Sequence, residues 1–73
     1  MLTEQVLVKR AEKSLLELST IIKDETAPEE LRKRSWEVFE ALVDDLSDPR
    51  LQKSVDPKML AFGKSVLKLS LEK

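Results

Sequence analysis

The residues of this chain that could do chemistry are carboxylates and basic groups without the partners that usually activate them. Glu37, Glu40, Asp44 and Asp45 fall close together, and paired carboxylates can divide general-acid and general-base work when their surroundings push their pKa values apart. Against that stands the absence of His and Cys from the 73 residues. Serine and threonine hydroxyls then have no imidazole to activate them, and the common ligands of zinc, haem and iron–sulfur clusters are missing. The single glycine, Gly63, leaves no glycine-rich phosphate loop, dinucleotide fingerprint or EF-hand loop. The four carboxylates read as the solvated side of a helix. The chain therefore reads as non-enzymatic, with no cofactor, no metal and no small-molecule substrate.

Basic residues raise a different chemistry. Arg32, Lys33 and Arg34 stand beside the only tryptophan, Trp36, and Arg50, Lys53, Lys58, Lys64 and Lys68 follow; both groups could contact phosphates. Glu29, Glu30, Glu37 and Glu40 surround the first group, the sequence pI is about 5.4, and no helix-turn-helix or zinc-finger pattern occurs. Nucleic-acid association is thus the alternative reading, in the manner of a phage packaging or regulatory small subunit whose basic residues gather on oligomerisation. The net charge of −1 conceals a −6 segment at residues 24–49 between basic ends, a layout that favours head-to-tail contact between copies.

The elements that must position these residues are helical. Thr3 is a candidate N-cap, with Leu2 and Leu7 spaced as a hydrophobic staple, for a helix over about 3–23. Its apolar stripe is Leu7, Ala11, Ser14, Leu15, Leu18, Ile21 and Ile22, with Val8 at the margin and Val6 and Leu16 outside it. Thr26-Ala27-Pro28-Glu29 has the pattern of a capping box, predicting a second helix over about 27–46. Leu31, Ser35, Val38, Phe39, Leu42, Val43 and Leu46 form its core face. Glu29–Lys33, Glu30–Arg34 and Lys33–Glu37 are candidate pairs on the other side. Trp36 falls at the edge of the apolar arc, where Arg32 could lie over its ring. Asp48-Pro49 and Asp56-Pro57 repeat one start signal, giving a short helix over about 49–54, with Leu51 and Val55 facing inward, and a last helix over about 57–72.

That last helix is apolar over a wide arc. Leu60, Leu67 and Leu71 make one seam, Phe62, Val66 and Leu69 a second, and Met59, Gly63 and Ser70 lie between. A helix at the edge of a three-helix monomer needs one seam, so Phe62, Gly63, Val66, Leu69 and Ser70, with Trp36, are the candidate partner-binding residues. Glycine inside a helix costs about 0.8–1 kcal/mol against alanine, which points to a packing reason for Gly63.

Ile21-Ile22, Asp24, Thr26, Pro28, Arg32 and Ala41-Leu42 resemble, in order and spacing, a family of small all-helical archaeal proteins over roughly a third of the chain. From Ser47 on the chain departs from that family. The same turn, Pro and Arg-containing helix is similar to helical hairpins of phage DNA-packaging small subunits and of HEAT-type repeats.

The expectation is one all-α domain over 1–73, a three-helix bundle made of an antiparallel hairpin and a C-terminal helix, with a short helical turn before the last helix. Its expected role is protein binding, including self-association into a homo-oligomer through the C-terminal helix. Without cysteine or an apolar run long enough to span a bilayer, the setting is expected to be cytoplasmic, with no membrane partner.

Overall fold

The computed structural model describes residues 3–71, and side chains as far as Leu69; Leu2, Ser70, Leu71 and Glu72, which figure in the expectations above, lie wholly or in their side chains outside the described residues. Three α-helices form the fold: α1 (Glu4–Lys23), α2 (Glu29–Leu46) and α3 (Pro57–Leu71), with one turn of 3-10 helix at Pro49–Leu51. The all-α bundle expected from the periodicity is what folds.

Helix α1 starts where its cap places it: Thr3 is extended, and its Oγ1 accepts from the Val6 N–H at 3.3 Å. Helix α2 starts differently. Pro28 occupies the N-cap position and no side chain caps the helix. Thr26 faces backwards instead, its N–H and its hydroxyl both donating to Asp24 Oδ1 at 2.9 and 2.6 Å. The capping box is therefore corrected to an Asx turn that closes the α1–α2 connection. Pro28 fixes the entry to the helix, and Glu29 and Glu30 in the first turn face its positive end.

The repeated Asp-Pro signal starts a helical turn at both places, but only the second start runs on as a full helix. Asp48 Oδ1 accepts from the Arg50 N–H at 2.9 Å, and Asp56 Oδ1 accepts from the Lys58 N–H at 2.9 Å. The first start yields only Pro49–Leu51 rather than a helix to residue 54. Val55 is buried behind it and Leu51 packs against the core.

Helices α1 and α2 pack as an antiparallel pair, and α3 lies across one side of it. The pairing register is marked by Arg32, whose Nε and Nη2 both donate to the Ile22 carbonyl at 3.2 and 3.1 Å. Ser19 and Ser35, both buried, fall opposite each other in this register, where small side chains let the helices approach. The core is Val8, Leu15, Ile22, Phe39, Val43, Leu46, Val55 and Val66, with Phe39 and Leu15 fully enclosed. Principal extents of 37 × 26 × 15 Å correspond to two layers of helix, given interaxial distances of about 8–10 Å.

The buried lines are rotated from those the stripes suggested. In α1 the core line runs through Val8, Leu15, Ser19 and Ile22, so Val8 is central and Leu7 is exposed. In α2 it runs through Ser35, Phe39, Val43 and Leu46, while Leu31 and Val38 are exposed and Leu42 is only half-buried. The cause is α3. It docks on one side of the hairpin and draws the core towards itself.

Candidate functional site

Within the protomer, both seams of the C-terminal helix contribute to packing against the core. Gly63 and Val66 are buried, and Met59, Leu60, Phe62 and Leu67 pack partly against the core. The core line thus runs through Gly63 and Val66, a residue of the second seam, with Leu60 and Leu67 on one side of it and Phe62 on the other. A β-carbon placed on Gly63 would meet Val43 Cγ2 at 2.7 Å and Leu15 Cδ1 at 3.7 Å. Gly63 is the point where α3 crosses both helices of the hairpin. The close approach expected at this glycine is real, but it lies within the protomer and not between protomers.

Among the other residues expected to bind a partner, Phe62 is half-buried, with Lys23 Nζ 5.5 Å from its ring centroid. Trp36 is half-buried and packed against the core. Arg32 does not lie over it, since its guanidinium is committed to the Ile22 carbonyl. Leu69 stands well out, 61% exposed.

The basic residues are scattered by their contacts. Arg32 is tied to the end of α1, Arg34 pairs with Glu30 at 3.7 Å, and Arg50 holds Asp48 with Nη2 to Oδ2 at 2.8 Å. The Arg50 guanidinium and N–H hold the Asp48 carboxyl below its ordinary pKa, and Asp48 raises that of Arg50 in return. The Thr26 hydroxyl and N–H lower the Asp24 carboxyl in the same way. Lys33 and Lys53 are exposed. Lys58, Lys64 and Lys68 are also exposed, on the side of α3 turned away from the core.

An open apolar surface lies elsewhere among the described residues, on the α1–α2 hairpin opposite α3. Leu7, Ala11, Ser14, Leu18 and Ile21 recur along α1, and Leu31, Ser35, Val38 and Leu42 along α2, each at alternating spacings of four and three, with Ser35 the buried member where the two helices meet. That period keeps each row on one side of its helix. At one end the rows meet in a shallow concavity lined by Leu7, Val8, Ala11, Leu42, Leu46 and Leu51, with Glu4 and Asp45 at its edge. Leu7 is 52% exposed, Leu31 46% and Val38 51%, with Ala11, Leu18, Ile21 and Leu42 half-buried between them. Sequence reasoning placed these rows in the core. The usable signal was the width of the α1 and α2 stripes, each broader than contact with a single neighbour requires.

No helix among the described residues is long and apolar enough to cross a membrane. No family model matches the chain, and neither does any curated protein or any solved structure. The likeness of the first hairpin to small archaeal helical proteins therefore brings no residue role with it.

Proposed function

We propose that the chain is a small non-enzymatic helical module that binds protein, and that it does so through the hairpin face opposite α3 and not through the C-terminal helix. The observation that carries this reading is the row of Leu7, Leu31 and Val38, each close to half exposed, on one continuous side of two helices. Apolar residues exposed singly, as Val6, Leu16 and Leu69 are, are ordinary on any surface; a contiguous patch marks a contact site. The cysteine-free composition suits a reducing, cytoplasmic setting.

The test is affinity capture from the native source with the whole chain as bait, wild type beside Val38→Glu, with circular dichroism to confirm that both are folded. Partners retained by the wild type and lost by the variant are expected. Identical retention by both baits removes this face as the binding site.

Lys58, Lys64 and Lys68 on the outward side of α3, a helix with no acidic residue in Pro57–Leu71, support nucleic-acid association as a second reading. Binding to duplex DNA that weakens steeply with salt is its signature, and no binding at low salt removes it.

A further inference from the structure

The rim of the open hairpin face carries charges that alternate around its corners. Helical periodicity sets Arg10 and Glu17 along the outer border of the α1 row, and Arg34 and Asp45 along that of the α2 row. All four are exposed. The Arg32–Ile22 contact fixes the antiparallel register, so Arg10 and Asp45 share the end of the face that Leu7 and Leu46 occupy, and Glu17 and Arg34 share the other end. The signs at the corners are therefore plus and minus at one end, and minus and plus at the other. Glu4 adds a further negative charge at the first end, set back from the outer border and held towards the start of α3 by the Ser54 hydroxyl at 2.6 Å. The Glu30–Arg34 pair is highly exposed and gives up little if Arg34 finds another carboxylate.

Alternating corners make a surface complementary to itself. A two-fold axis in the plane of the face and parallel to the helices lays α1 of one copy over α2 of the other, setting Arg10 against Asp45 and Glu17 against Arg34. A two-fold axis across the helices lays α1 over α1, setting Arg10 against Glu17 and Arg34 against Asp45. Either way every corner meets its opposite, the apolar rows close over each other, and every helix lies antiparallel to its neighbours.

Resting on the interaction-module reading above, we infer that the occupant of this face is a second copy of the chain, giving a symmetric dimer with a four-helix centre and one α3 on each outer side. The α1 row spans about 21 Å and the α2 row about 17 Å, and the hairpin is about two helix diameters, or about 20 Å, wide. The footprint is then roughly half of a standard interface, in the size range of weak, transient contacts.

Sedimentation equilibrium on the whole chain between about 10 μM and about 1 mM tests this, with circular dichroism on the same samples. The expected result is a reversible monomer–dimer equilibrium for the wild type. Val38→Glu should weaken it more than about tenfold, as each copy contributes the residue once. Arg10→Glu, a surface change that leaves the protomer folded, should weaken it several-fold. Adding Asp45→Arg, or in the crossed arrangement Glu17→Arg, should restore it. A wild type that remains monomeric at about 1 mM overturns the dimer, as does a dimer indifferent to Val38→Glu and Arg10→Glu. The broader reading falls separately, if the Val38→Glu bait also keeps every partner of the wild type.

Discussion

Gly63 and Val43 stand so close that a β-carbon on the glycine would sit 2.7 Å from Val43 Cγ2, nearer than such atoms approach. Val43 is buried and β-branched in a helix, so its side chain has almost no other rotamer to adopt. Gly63→Ala gains about 0.8–1 kcal/mol of helix propensity and loses about 1–3 kcal/mol to overpacking. A net loss of stability is expected in the wild type. With Val43→Ala already present the clash is gone, and Gly63→Ala should stabilise by close to the full propensity term. Urea titration of the four proteins checks this reversal of sign.

Arg32 closes the hairpin at the end of α1, its fork accepted by the Ile22 carbonyl. A hydrogen bond to a charged group contributes about 1.5–3 kcal/mol when part-buried. Arg32→Met keeps the aliphatic stem and should lose an amount in that range, while Arg32→Lys, with a single point of contact, should retain part of it. Chemical denaturation of both variants separates the stem from the guanidinium.

Thr26→Ala should be mild, within about 0.5 kcal/mol, because the threonine does not cap α2. Asp24→Ala removes the acceptor of both Thr26 bonds and should cost more than the threonine change. Equal effects in thermal melts would return the capping role to Thr26.

Asp24 and Asp48 give stability a defined pH dependence. Both carboxyls are held below the ordinary value of 3.8 in the folded protein, so near that pH the unfolded chain binds more protons than the folded one. Their contribution is present above the unfolded value and is lost as pH falls through the lower folded value. The urea midpoint should be level from about pH 7 to pH 5 and fall below about pH 4. Asp24→Asn and Asp48→Asn should each reduce that fall.

Much of the fold was legible from local signals. The Thr3 cap, the paired Asp-Pro starts and the helical periods lie within a few residues of what they control, and α1, α2 and α3 fold close to where those signals place them. What was not legible depends on the docking of α3. Hydrophobicity puts Leu7, Leu31 and Val38 in the same stripes as Leu15, Phe39 and Val43, and only the side of the hairpin that α3 takes divides covered from open. The Thr26 error has a similar origin: Asp24 competes for the same hydroxyl, and a four-residue pattern does not decide between the two turns. Of the candidate site, the unusual role of Gly63 could be read from its cost, but not which helix it approaches.

Two carboxylates of α1 hold the start of α3: Glu4 accepts from the Ser54 hydroxyl at 2.6 Å, and Glu12 from the Asp56 N–H at 2.9 Å. These ties join residues 50 and 44 positions apart, whereas the hairpin closes over one short turn. Loops of that length close more slowly than a turn. On a ribosome the hairpin sequence emerges before α3 does. For that interval Leu15 and Val43 are uncovered as well as the Leu7–Val38 side, and the newborn hairpin has two faces able to capture a neighbour. Arrival of the last helix shields one of them, and so sets which face a mature chain can offer.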